Sequence, residues 1–141
     1  MKFFFDTSVL VPAVLEDHEH HERSLAVISK ARPQSSCCAA HSLAELYATL
    51  TRYPGKQRLS PDQALMALEG MEERLAIVAL DVREYRTAIR KLALNGITGG
   101  TLYDGLIAAC ALKAKADVFY TWNIDDFRRL GPEVAQIVET P

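Results

Sequence analysis

Short apolar runs alternate along the chain with longer segments whose apolar residues recur at helical spacing. Phe3 to Phe5 is apolar and stops at the charged Asp6, which predicts a short buried strand. Ser8 to Leu15 reads as a helix, with Pro12 as a kink or restart. Glu19 to Ala31 reads as a second helix, with Leu25 and Ile28 facing inward and Pro33 ending it. Ser36 to Ala40, small and apolar, is a candidate second central strand. Leu43, Leu46, Tyr47 and Leu50 then fall at i, i+3, i+4 and i+7, one face of a helix broken at Tyr53-Pro54-Gly55.

Ser60-Pro61-Asp62-Gln63 carries the signature of a helix start: a Ser cap, Pro at the first helical position and Gln three residues after the cap. Leu65, Leu68 and Met71 would point that helix inward. Ala76 to Leu80 is a third strand. Asp81 to Leu94 is a helix with Val82, Tyr85, Ile89 and Leu92 inward, closed by Asn95-Gly96. Thr101 to Lys115 is an apolar helix, Asp117 to Thr121 a fourth strand, Asp125 to Leu130 a short helix, and Val134 to Val138 a last strand. No repeat, low-complexity tract or linker interrupts the series, so residues 1–141 are expected to form a single domain. Strands alternating with helices predict an α/β fold, with helices on both faces of a mostly parallel sheet. In such sheets the functional crevice lies at the carboxyl ends of the strands.

Composition adds exclusions. Apolar residues are 49% and charged residues 24%, ordinary values that argue against disorder. Sixteen basic against 18 acidic residues give a net charge of −2, which excludes a nucleic-acid clamp working by bulk charge. It does not exclude a nuclease with a local acidic site, where a metal supplies the positive charge. The three cysteines, Cys37, Cys38 and Cys110, have no framework or zinc spacing and read as small buried apolar side chains of a reduced compartment. No signal segment and no apolar run of about 18–20 residues is visible, so a cytoplasmic location without membrane contact is expected.

Acidic residues fall where the predicted strands and helices meet the carboxyl edge. Asp6 follows the first strand, Glu45 lies in the first turns of the helix after the second, and Asp104 in the first turn of the helix before the fourth. Asn123, Asp125 and Asp126 follow the fourth. Helix capping is the competing reading of each. Asp6 could be an N-cap; Ser42-x-x-Glu45 and Thr101-x-x-Asp104 fit a capping box, and Asn123-x-x-Asp126 is a variant of one. Taken together the positions point elsewhere. Two carboxylates about 4 Å apart repel by roughly 4 kcal/mol at an effective dielectric near 20, whereas helix N-terminal dipoles return only about 0.3–1 kcal/mol each. A cation is needed to hold such a cluster. Oxygen-only donors suit Mg²⁺ or Mn²⁺, and the lack of thiolate or histidine argues against zinc.

Four segments, in this order and across nearly the whole chain, carry a resemblance: Phe5-Asp6-Thr7-Ser8-Val9-Leu10; Leu43-Ala44-Glu45; Gly99-Gly100-Thr101-Leu102-Tyr103-Asp104-Gly105-Leu106-Ile107-Ala108-Ala109; and Thr121-Trp122-Asn123-Ile124-Asp125-Asp126-Phe127. The chain resembles the PIN-domain family, and within it the VapC-like ribonuclease toxins of toxin–antitoxin pairs. The resemblance implies a PIN-like three-layer α/β/α fold with about five strands, and a Mg²⁺- or Mn²⁺-dependent endoribonuclease. Such an enzyme hydrolyses RNA in line by metal-activated water and leaves 3′-hydroxyl and 5′-phosphate ends. Asp6, Glu45 and Asp104 match the family's first, second and third acidic positions. Asn123 stands at the fourth, with Asp126 the first choice and Asp125 the second to supply the missing charge. Asp6, Asp104, Glu45 and Asp126 are thus the expected metal ligands, and Thr7 and Ser8 match hydroxyl positions near Asp6. The resemblance also implies a small cognate antitoxin and a homodimer.

Other groups read more plainly. His18, His20 and His21, with Glu19 and Glu22, look like a solvated helix start; a place at the dimer or antitoxin surface stays open. His41 precedes Glu45 by one helical turn and reads as a neighbour of the site or a surface residue. Arg52, Lys56 and Arg58, around Tyr53, are candidates for phosphate contact. Trp122 is either core cover, the favoured reading, or a base-stacking surface. A phosphatase of the haloacid-dehalogenase type would need a second Asp where Ser8 stands, and a receiver domain would need paired acids that Phe5 and Asp6 do not provide. The alternatives left are a catalytically inactive PIN-fold module that binds RNA or a partner, and a dimer that mainly represses its own operon with an antitoxin.

Overall fold

The computed structural model describes all residues from Met1 to Pro141. Phenylalanine and small residues build the centre of a five-stranded sheet. Its strands are β1 (Phe3–Phe5), β2 (Ser36–Ala39), β3 (Ala76–Val78), β4 (Val118–Tyr120) and β5 (Val138–Glu139). They lie in the order β3-β2-β1-β4-β5, and every pairing is parallel. Side chains alternate across the sheet as strand geometry requires. Phe5 and Cys38 point to one face, while Phe4, Cys37, Ala39 and Phe119 point to the other.

The first face is covered by α1 (Thr7–Val14), α2 (His21–Ser29), α3 (Ala40–Arg52) and α4 (Pro61–Arg74), which bury Leu10, Ile28, Leu46, Leu50 and Met71. The second face is covered by α6 (Thr101–Lys113), α7 (Ile124–Arg128) and α8 (Pro132–Ala135), which bury Ile107, Ala111, Phe127 and Val134. The expected three-layer α/β/α arrangement is therefore present. No helix is long and apolar enough to cross a membrane.

The remaining helix, α5 (Val82–Leu94), departs from expectation. Its main packing partner is α6. Only Leu92 of its apolar stripe is buried, while Val82, Tyr85 and Ile89 stay 65%, 41% and 42% exposed. The contact is close because α6 offers Gly105 there: a Cβ at that position would come within 2.5 Å of Leu92 Cδ1. Two other inward expectations fail for a similar reason. Leu25 and Leu65 are exposed, because the surfaces that α2 and α4 bury run through Ser24 and Ile28 and through Ala64 and Met71 instead. The C-terminal apolar run is not one strand. Pro132 starts α8, and only Val138–Glu139 pairs with β4. Pro at the first helical position favours that helix.

Chain order places the functional crevice. From β1 the chain moves outward through β2 to β3, then returns to the other side of β1 for β4. Between β1 and β4 the loops leaving the two carboxyl ends run in opposite directions, the switch point at which open α/β sheets bind ligands. Asp6 and Thr121 are the residues that leave β1 and β4 at this point. Asp6 N–H donates to Tyr120 C=O at 3.0 Å across the gap.

Candidate active site

An open cavity of about 450 Å³ lies over the switch point, lined among others by Asp6, Thr7, Ser8, Glu45, Asp104 and Asn123. A slightly larger one of about 460 Å³, between α5 and the α7–α8 turn, contains none of the acidic positions singled out above, and it is the smaller that holds the chemistry. No Lys or Arg lines it.

Asp6 is only 3% exposed. Thr121 Oγ1 donates to its Oδ2 at 2.9 Å. The same hydroxyl accepts Asn123 N–H at 2.9 Å and lies 3.2 Å from Ser8 Oγ, which in turn accepts Trp122 N–H at 2.9 Å. A small hydroxyl network thus ties the end of β1 to the end of β4 around one carboxylate. Burial raises the Asp6 pKa; Ser8 and Thr121 lower it, and the charge of Glu45 raises it.

Glu45 comes from the second turn of α3. Thr7 Oγ1 donates to its Oε1 at 2.7 Å, and His41 Nε2 lies 3.8 Å from its Oε2. The His41 ring is stacked on Tyr103, with centroids 5.3 Å apart and planes 4° apart. Asp104, in the first turn of α6, is half-buried. Its pKa is pushed up to about 6, first by burial and then by the charges of Asp6, Asp126 and Glu45. The cavity thus gathers three carboxylates, Asp6, Glu45 and Asp104, with no Lys or Arg among its lining residues, and the charge of a fourth, Asp126, reaches Asp104 from outside.

Capping does not explain these residues. Asp6 is the N-cap residue of α1 but makes no capping bond. The helix bearing Glu45 begins at Ala40, so Ser42 is inside it, and Ser42 Oγ is buried without a partner. The helix bearing Asp104 is preceded by Gly100, and Asn123 makes no side-chain cap to α7. Complete capping boxes do occur, at Ser60 with Gln63 and at Asp81 with Glu84, both far from the cavity in the chain.

The donor set fits a hard divalent cation. It offers carboxylate, hydroxyl and amide oxygen, it carries uncompensated negative charge, and Asp104 resists ionisation as long as nothing positive is near. The carboxylates surround the cavity rather than close on one point: no three His, Cys, Asp or Glu side chains converge into a ready-made chelate. Asp6, Glu45 and Asp104 are the residues that could hold an ion.

The fourth position is divided. Asn123 lines the cavity and carries no charge. Asp126 stands outside the lining, exposed and 3.9 Å from Arg129, yet its field reaches Asp104. Asp125 is exposed and touches none of this. Among the basic candidates, Arg58 Nε donates to Tyr53 C=O at 2.8 Å and so braces the loop; Tyr53 itself lines the cavity, but Arg52, Lys56 and Arg58 do not.

Three features were foreseen only in part or not at all. Thr121 is the main orienting partner of Asp6; its position directly after the strand beside β1 was the available signal. The histidines do stand at the start of α2, partly exposed, but two of them are packed rather than merely solvated. His21 Nδ1 lies 2.7 Å from Pro12 C=O, and His20 is stacked flat on Trp122 with centroids 3.7 Å apart. Trp122 is core cover, packed half-buried against the cluster under α1 to α4, and it is also a wall of the cavity.

Comparison with known proteins agrees with this geometry. The PIN domain profile matches residues 3–131. Ribonuclease VapC27 of Mycobacterium tuberculosis is 35% identical over 113 residues, covering 80% of this chain and 79% of that protein. Ribonuclease VapC40 of the same species is 33% identical over 131 residues, covering 92% and 94%. Among solved structures, Mycobacterium tuberculosis VapC20, described as a sarcin-ricin loop cleaving toxin, superposes with a TM-score of 0.70 at 16% identity, covering 89% of this chain and 92% of that one. Rickettsia felis VapBC2, bound to a DNA fragment from its promoter, gives 0.67 at 23% identity, covering 99% and 98%. At these identities the structures speak to the fold, whereas the profile and the two ribonucleases speak to descent: this chain belongs to the PIN domain family, among its VapC-like members.

Proposed function

We propose that the chain is a divalent-metal-dependent endoribonuclease, the toxin of a toxin–antitoxin pair, with Asp6, Glu45 and Asp104 as its central acids. The observation that carries this is one cavity at the β1–β4 switch point with three carboxylates from three separate elements and no Lys or Arg among its lining residues. The two ribonuclease relatives above 30% identity support it. Mg²⁺ is the preferred ion and Mn²⁺ the substitute, because the donors are all oxygen.

When bound, such an ion supplies positive charge at the scissile phosphate and an acidified water. The protein supplies the rest. Thr121 fixes one oxygen of Asp6, so this ligand does not need to be ordered at the moment of binding. Asp104, its carboxylate disfavoured by burial and by the acids around it, would be the second ligand and would be relieved by a cation held there. Glu45, steadied by Thr7 and flanked by His41, is placed to steer the attacking water and accept a proton. Asn123 contributes a carbonyl oxygen at the rim, and Asp126 adds negative field without lining the cavity. The substrate is RNA, the partner a small antitoxin that carries a cation into the acid cavity, and the working form a cytoplasmic homodimer. All 141 residues act as one domain.

Purified protein with Mg²⁺ or Mn²⁺ should cut RNA, and EDTA should stop it. Asp6→Asn and Asp104→Asn should abolish cutting with circular dichroism unchanged. Cleavage that survives either substitution would contradict the assignment. Asn123, neutral where the other positions are acidic, favours one second reading, a module that binds RNA without cutting it. Metal-independent RNA binding with no cleavage under any divalent ion would select that reading.

A further inference from the structure

One wall of the acid cavity is aromatic and well fastened. Trp122 is held by its indole N–H, which donates to Ser24 Oγ at 2.9 Å, and by its backbone N–H, which donates to Ser8 Oγ. The Arg23 guanidinium carbon stands 5.3 Å from its ring centre. On this fixed ring lies His20, 3.7 Å centroid to centroid and 8° from parallel.

His20 is positioned in its turn by the loop between α1 and α2. His21 clamps the loop to Pro12 C=O, and His18 Nδ1 accepts the backbone N–H of His20 at 3.0 Å. The nearest other ring, His18, is 5.6 Å away and tilted by 36°. One face of His20 is therefore spent on Trp122, and the other has no parallel partner. Both His18 and His20 line the cavity with Asp6 and Asp104.

Two physical points say what this ledge receives. A cavity lined by acids, with no Lys or Arg, does not hold a nucleic-acid strand by phosphate contacts. A flat, fastened, partly exposed ring pair gains most from another flat ring, and base stacking tolerates any base because each has a π-face. We infer that the free face of His20, backed by Trp122, is a nucleobase-stacking ledge that seats one base of a single-stranded RNA beside the scissile phosphate. His20 is in this sense a positioning residue. The inference rests on the nuclease reading for its substrate, but not for its geometry.

Trp122 is the only tryptophan of the chain, so its emission reports on this wall alone. The probe is a mixed-sequence single-stranded oligoribonucleotide, compared with a base-free ribose-phosphate strand of equal length. Both are titrated with Mg²⁺ into Asp104→Asn protein, which cannot cut them. The oligoribonucleotide should change the emission, the base-free strand should not, and His20→Ala should remove the response. In the otherwise native enzyme, His20→Ala should raise KM roughly 5- to 150-fold, the effect of losing one stacked base, with kcat within about twofold. His20→Phe keeps a flat ring and should restore KM, which a general loosening of the loop would not allow. Equal response to the base-free strand, or an unchanged KM in His20→Ala, overturns the ledge while leaving the nuclease reading intact. Emission that responds to bases in a protein whose native form cuts no RNA sinks the nuclease reading and keeps the ledge.

Discussion

Replacing Asp104 by Asn should stabilise the metal-free protein at alkaline pH, although it removes an ionised acid from the first turn of a helix. Burial and the neighbouring acids move the Asp104 pKa from 3.8 to about 6. The folded state therefore binds this proton more tightly than the unfolded chain does. That contribution is fully present below about pH 3.8 and is lost as pH rises through about 6. At full strength the displacement corresponds to about 3 kcal/mol. Asp104 is only half-buried, and solvent screening brings this to about 1.5 kcal/mol. The dipole of α6 favours the carboxylate by about 0.3–1 kcal/mol, so the net gain on neutralising it is about 0.5–1 kcal/mol. For a chain of this size that raises Tm by about 2–4 °C. Differential scanning calorimetry of EDTA-dialysed protein at pH 8 should show the variant melting higher, and at pH 4 the two melts should converge. Mg²⁺ should reverse the order at pH 8, since an ion at 100 times its Kd adds about 2.7 kcal/mol to the protein that binds it. A variant that melts below the native protein at pH 8 without metal would refute the reasoning: Asp104 would then be held by a favourable local bond rather than strained by its neighbours.

Other expectations follow from the same contacts. Thr7→Val removes a hydrogen bond to a charged group, worth up to about 1.5–3 kcal/mol of stability, so the melt should fall, and RNA cleavage measured below the melt should fall in kcat/KM because Glu45 Oε1 is no longer held. Asn123→Ala and Asp126→Ala separate the two candidates for the fourth position. Direct contact with the ion predicts a large loss of cleavage for Asn123→Ala, while Asp126→Ala should weaken apparent Mg²⁺ affinity only as far as salt does not screen it. Gly105→Ala drives a methyl group into Leu92 and should cost about 1–3 kcal/mol in a urea melt, and Leu92→Ala in the same chain should recover part of it. Ser60→Ala breaks the capping box of α4, costing about 0.5–2 kcal/mol in the same melt and leaving cleavage untouched.

Four of the five strands were legible because each lies in a short run of apolar or small residues, as Phe3 to Phe5 does before Asp6; the fifth was not, because Pro132 turns most of the last apolar run into α8. Nor was the order of the strands. Nothing local to β1 or β4 says that they are neighbours, yet that adjacency creates the crevice and brings Thr121 to Asp6. The acids Asp6, Glu45 and Asp104 were legible as a set because their placement at strand and helix ends has a geometric meaning before any contact is known. Asp126 shows the limit of that argument. Asn123 precedes α7 in a non-helical conformation while Asp126 lies within it, so spacing alone did not say that Asp126 would stand outside the cavity near Arg129. Helix α5 misled because periodicity reports that a stripe exists and not what covers it; α6 and Gly105 accept Leu92 and leave Val82, Tyr85 and Ile89 outside. The histidines misled for the opposite reason. Their polarity suggested solvent, but an imidazole is also a flat ring, and Trp122 lies 102 positions along the chain from the ring it supports.

The proposed chemistry requires a divalent cation among Asp6, Glu45 and Asp104, acids that cannot balance one another. Crystals grown with Mn²⁺ and measured at the manganese absorption edge test this directly. One anomalous peak or two should appear in the switch-point cavity, at about 2.0–2.5 Å from carboxylate oxygens of Asp6 and Asp104, and should vanish in Asp6→Asn. A cavity with no anomalous signal at saturating Mn²⁺, or a peak bound elsewhere with Asp6 and Asp104 untouched, would contradict it.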